Sequence, residues 1–135
     1  MKINGSIINT VEEVKKEIMN GVNVLEFIEK DLDIDLISTA ITIKGEDEDT
    51  FYEESAEMIV KAIIYYVLNM NDEEKTLSRC KEIAKIGYEN GTEELKKILE
   101  KESHSKELYR FMDIATERSQ KLILEKLKDR IEENL

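Results

Sequence analysis

The sequence predicts an all-α fold: a compact bundle of about five to seven helices, built around a central apolar helix at residues 50–69 and a long C-terminal helix. Three observations predict it. The 135 residues include no proline and only five glycines, so the turn residues that a many-stranded sheet consumes are scarce. Charged residues make up 38% of the chain, and the helix formers Glu, Lys, Leu, Ile and Ala dominate the composition. Residues 49–68, DTFYEESAEMIVKAIIYYVL, carry apolar side chains around most of a helical circumference, which calls for neighbours on several sides. A chain of this length buries a sizeable core as a single domain, residues 1–135.

The elements follow in order. Thr10 with Glu13 forms a capping box for a first helix, with Val11, Val14 and Ile18 on its apolar face and a stop at Asn20-Gly21. Val24, Leu25, Phe27 and Ile28 place a second helix at about 22–30. DLDIDLISTAITIK, residues 31–44, is rich in β-branched residues. A single strand there would lack a partner, so helix is the expectation. GEDED, residues 45–49, is an acidic loop.

The central helix opens with Asp49 or Thr50 as N-cap, and Glu53, Glu54 and Glu57 favour its positive end. Phe51, Ser55, Ile59, Ala62 and Tyr66 share one face; Tyr52, Ala56, Ile63 and Val67 share the next. The small Ser55 and Ala56 admit close approach of another helix. Its longest uninterrupted apolar run, Ala62–Leu68, is far short of the ~20 residues a membrane span needs.

Asn71 with Glu74 marks the next start, and Leu77, Cys80, Ile83, Ala84 and Tyr88 give a stripe up to Asn90-Gly91. Thr92 begins a shorter helix carrying Leu95, Ile98 and Leu99. After a break at ESHS comes the last and longest helix, with its stripe at Leu108, Phe111, Ala115, Ser119, Leu122, Leu127 and Ile131.

Charge bounds the partners. The net charge of −11 is concentrated in residues 1–91, which hold 20 acidic and 10 basic side chains. That half repels a phosphate backbone, which argues against nucleic acid and for a basic protein partner. Plain solubility explains the same charge. Cys80 is the single cysteine, so no intramolecular disulfide forms, and a reducing compartment fits. MKINGSIINT lacks the apolar run of a signal peptide.

The motifs that carry chemistry fail one by one. Asp31, Asp33 and Asp35 begin like a calcium loop, but Leu36 stands where glycine is needed and Thr42 where glutamate is needed. A di-metal carboxylate bundle needs paired Glu-x-x-His, and the only histidine, His104, has Lys101 three residues before it. Cys80 and His104 alone are too few ligands for zinc. Ser103 and Ser105 flank His104, but adjacency in sequence does not make a catalytic triad. Neither GxxxxGK[ST] nor GxGxxG is present. The expectation is a non-enzymatic chain with no metal and no cofactor.

One family resemblance covers residues 49–135, with a weaker extension over 22–48. DTFYEESAEMIVKAIIYYVLNMNDEEKTLSRCKEIAKI resembles the middle of the TraG-like coupling proteins of conjugation and type IV secretion. There a D-P-F-W segment is followed by A-E, an apolar helix ending in a tyrosine-containing run, a turn and an amphipathic helix. Asp49, Phe51, Tyr52, Ala56 and Glu57 match; Thr50 replaces the usual proline and Tyr52 the usual tryptophan. Phe111, Ala115, Thr116, Ser119, Ile123 and Leu127 carry the similarity at the C-terminal end.

The resemblance implies an all-α domain inserted in a coupling ATPase, on the cytoplasmic side, without ATPase activity of its own. It implies substrate recognition through basic proteins such as relaxase or relaxosome accessory proteins. Glu46, Asp47, Glu48 and Asp49 are then the candidate partner-binding residues, although for each taken singly an ordinary solvated loop is the simpler account. The alternative is a stand-alone helical regulator that oligomerises through an apolar stripe on its last helix.

Overall fold

In the computed structural model, which describes residues 1–43 and 50–135, the chain starts with a hairpin rather than with a helix. Strands β1 (Lys2–Ile3) and β2 (Ser6–Ile7) pair antiparallel, with Lys2 opposite Ile7 and Ile3 opposite Ser6. Asn4 and Gly5 both have positive φ, 50° and 85°, as a tight two-residue hairpin turn requires. The hairpin buries Ile3, and Ile8 just beyond it, against the helices.

The rest is an all-α bundle. Helix α1 (Val11–Met19) carries the expected capping box: the Glu13 amide donates to Thr10 Oγ1 while the Glu13 carboxylate accepts from the Thr10 amide. These contacts, the Thr10 hydroxyl first, hold the Glu13 carboxyl below its ordinary pKa. The helix expected at 22–30 is only a 3₁₀ turn, Val24–Phe27. Two side chains hold that segment out of the helix. Asn23 is spent across the fold, donating to Lys75 O at 2.8 Å and accepting from the Leu77 amide at 3.2 Å. Asp33 reaches back to accept from the Glu29 and Lys30 amides at 2.9 and 3.1 Å, and Lys30 is extended.

Residues 31–44 resolve as expected: α2 (Asp31–Thr42) is helical despite its β-branched side chains. Helix α3 (Thr50–Leu68) is the central element. Its expected cap at Asp49 or Thr50 falls outside the described residues and side chains. α3 buries Ser55, Ala56, Ile59, Val60, Ala62, Ile63, Ile64 and Val67; each apolar chain larger than alanine is worth ~1.5–3 kcal/mol on burial. Phe51, on the same face as Ser55, Ile59 and Ala62 by helical spacing, is more than half exposed.

The start expected at Asn71 is a 3₁₀ turn, Asp72–Glu74; α4 (Leu77–Asn90) begins later, with Thr76 Oγ1 accepting from the Arg79 amide. Gly91, at φ 107°, turns the chain into α5 (Thr92–Leu99). Then the expected long last helix divides. Helices α6 (Ser103–Tyr109) and α7 (Phe111–Ile114) precede an extended Ala115, and α8 (Glu117–Asn134) starts afresh with Thr116 as cap. Gln120 Nε2 donates to Met112 O at 2.6 Å and Ala115 O at 3.3 Å, satisfying carbonyls that the break releases. The buried face of α8 is Ile123, Leu124, Leu127, Arg130 and Ile131, so Ser119 and Leu122 sit at its margin.

Packing is close where side chains are small. Ser105 of α6 is fully buried and donates to Ala62 O of α3 at 2.6 Å. Gly87 of α4 faces Leu95 of α5, and a Cβ on Gly87 would lie 2.7 Å from Leu95 Cδ2. No helix among the described residues is long and apolar enough to cross a membrane.

Two predictions follow from these contacts. Gly87→Ala should lose ~1 kcal/mol or more in urea unfolding despite alanine's better helix propensity, because the added methyl overlaps the fully buried Leu95 side chain, which must shift within the core. In a Leu95→Ala background the same change should be neutral or stabilising; equal costs in both backgrounds would rule out the overlap.

Burial opposes the Asp33 charge, but the Glu29 and Lys30 amides and the Met1 ammonium, 3.5 Å away, prevail and lower its pKa. The stabilisation is therefore present above the unfolded carboxylate pKa of ~3.9 and is lost as pH falls through the lower folded value. Asp33→Asn should cost roughly 1–2 kcal/mol at pH 7. That difference should shrink as the wild-type carboxylate protonates in acid, and a pH-independent cost would contradict it.

Candidate functional site

The candidate residues Glu46, Asp47, Glu48 and Asp49 lie outside the described residues. The structure does describe the two ends between which they run, Ile43 and Thr50. The α2 end is tied from two sides. Lys15 Nζ of α1 donates to Ile43 O at 3.3 Å, placing a cation at the negative end of the helix. Asn134 Nδ2, at the end of α8, donates to Ile41 O at 2.6 Å.

Facing that end, the first turns of α3 present Glu53, Glu54 and Glu57. With Thr39, Thr42 and Ile43 they line a shallow pocket of about 160 Å³. Glu53 meets a residue that sequence reading missed. Arg130 of α8 is 1% exposed, with Nη2 3.0 Å from Glu53 Oε1 and Nη1 3.1 Å from Glu133 Oε2. The available signal was its place beside Leu127 and Ile131 on the buried face.

α2 and α3 run antiparallel, and a row of polar contacts joins them along one edge. Tyr65 Oη donates to Asp31 Oδ1 at 3.1 Å. Lys61 Nζ lies 2.8 Å from Asp35 Oδ1. The Thr39 hydroxyl donates to the Glu57 carboxylate. The participants step by four along each helix, so every rung implies the same register. Burial first, then the Asp31 hydrogen bond, pushes the Tyr65 phenol up.

This geometry accounts for the aspartates once read as a calcium-like start. Asp31 turns to Tyr65, Asp33 to the Met1 ammonium and two amides, and Asp35 to Lys61. The three diverge. No group of three or more His, Cys, Asp or Glu side chains suited to a metal ion occurs among the described residues.

The remaining reactive groups are occupied or shielded. Cys80 is buried, which pushes its thiol up to about 12 and leaves negligible thiolate near neutrality. His104 is exposed and stacks on Tyr65, ring centroids 4.9 Å apart. Its carboxylate neighbour, Glu102, is committed to capping α6 through the His104 and Ser105 amides. The Ser105 hydroxyl is held by Ala62 O. Tyr109 is buried, donates to Thr92 O, and its phenol is raised well above its ordinary value. A cleft of about 630 Å³ lies between the end of α1, the start of α4 and the end of α8. Lys81 and two glutamates are the charged side chains that line it.

Removing Arg130 tests the join between α8 and α3. Arg130→Ala should destabilise by ~3 kcal/mol, because Glu53 is left desolvated without its cation. Arg130→Met combined with Glu53→Leu should recover most of that loss in urea unfolding. An alanine variant as stable as wild type would show that the buried pair contributes nothing.

Compared with known proteins, the chain matches no family model, no curated protein and no solved structure.

Proposed function

We propose that this chain is a protein-docking module without chemistry of its own: the substrate-recognition all-α domain of a TraG-like conjugative coupling protein. Its partners are basic proteins such as a relaxase or relaxosome accessory protein. The observation that carries this reading is the acidic end of the α2–α3 pair. Glu53, Glu54 and Glu57 cluster beside a helix end held by Lys15 and Asn134, and Glu46–Asp49 are attached there in sequence. Arg130 offsets part of that charge from inside, leaving the outward carboxylates to attract a basic partner and repel acidic ones. The family assignment rests on the sequence resemblance.

The alternative, a stand-alone regulator that oligomerises through its last helix, needs an apolar stripe open to solvent. The large exposed hydrophobic side chains lie elsewhere, at Ile7, Met19, Leu32, Ile43, Phe51, Met58 and Ile114, and none is on α8.

The test is a pull-down against relaxosome proteins at low and moderate salt, with wild type and with Glu46, Asp47, Glu48 and Asp49 changed to Gln or Asn. Capture should be strong for wild type, weaken with salt and drop several-fold in the neutralised variant. Undiminished capture would remove those four residues from the docking surface. No capture of any relaxosome protein would sink the coupling-protein reading.

A further inference from the structure

We propose that the outward face of the α2–α3 pair is a docking face for a cationic amphipathic helix of the partner protein, an inference that rests on the docking function above. Two kinds of side chain share this face. Leu32 is 66% exposed on α2 and Met58 is 39% exposed on α3; half-buried Leu36 extends the first row, and Tyr65, its ring stacked on His104, closes the second. Between and beside them stand Asp31, Asp35, Glu54 and Glu57, with Lys61 paired to Asp35.

Apolar positions one or two helical turns apart suit the i, i+4, i+7 anchors of a helix laid across two others. Methionine at such a surface adapts its shape to the incoming side chain. The charge selects the occupant. A second copy would bring the same carboxylates face to face, and a nucleic acid or anionic lipid surface would be repelled in the same way. A helix with leucines on one side and lysines along its flanks satisfies both rows.

The register contacts make the face ready-made. Asp31–Tyr65, Asp35–Lys61 and Thr39–Glu57 hold the two helices side by side before a partner arrives. Little ordering cost then falls on binding.

The chain contains no tryptophan, so a peptide with one tryptophan reports binding by its own fluorescence. The probe is a helical peptide of about 18 residues, leucine at i, i+4, i+7 and lysine on both flanks. A glutamate-flanked version is the comparison. The lysine peptide should bind the full chain and the glutamate peptide should not. Leu32→Ser, Met58→Ser and Glu54→Lys, all at exposed positions, should each weaken binding roughly tenfold while circular dichroism stays unchanged. Glu125→Lys, at an exposed position on α8, should have little effect.

Equal losses from Glu125→Lys and Glu54→Lys would reduce the effect to diffuse attraction, overturning the face while leaving the docking function intact. Equal binding of both peptides would overturn the charge selection. No binding of the lysine peptide, alongside positive capture of relaxosome proteins, would overturn the helix partner alone. Failure of both would remove the docking function as well.

Discussion

Everything in this fold answers to the apolar circumference of α3. Buried positions cover more than half of its circumference, from Ser55 and Ala56 through Ile59, Val60, Ile63 and Ile64 to Val67. Such a helix is stable in water only if other elements enclose it. α2, α4, α5, α6 and α8 all pack on it. The packing of the described helices is the solution to that one requirement.

Hydrophobic burial drives the enclosure but does not choose the alignment of α2 on α3. Each buried aliphatic chain is worth ~1.5–3 kcal/mol, whereas a partly exposed polar pair contributes ~0–1 kcal/mol. The polar rungs are therefore minor in stability. They are specific in geometry, because a slip of one residue would separate Asp31 from Tyr65, Asp35 from Lys61 and Thr39 from Glu57 together. Arg130 does similar work from the other side, fixing α8 against the first turns of α3. Its buried charge brings a desolvation cost that makes it directional rather than simply adhesive.

Several elements were legible because their signals are local. The Thr10–Glu13 capping box, the stripe of α4, and the Gly91 turn into α5 each occupy a few consecutive residues. The hairpin is equally local: Asn4-Gly5 forms a two-residue turn, but its two-residue strands are too short to show an alternating pattern. The division of the last helix was marked by Thr116, whose capping role was hidden by an apolar period that runs on through the break. At the candidate site, the carboxylates were readable one at a time. Their pairing with Arg130, Lys61, Thr39 and Tyr65 was not, since each partner lies at least 18 residues away.

By itself the sequence determined the helical class, the central position of α3, the acidic balance of the first half and the failure of every catalytic motif tested. Those properties follow from composition and from periods of a few residues. Only the tertiary structure decided that residues 22–30 stay mostly unwound, that Phe51 faces outward while Arg130 is buried, and that three aspartates of DLDID serve three different partners. The physical reason is competition between distant groups. The Asn23 amide, the Asp33 carboxylate and the Arg130 guanidinium are each claimed by atoms of other segments, and helical periodicity carries no information about which long-range claim prevails.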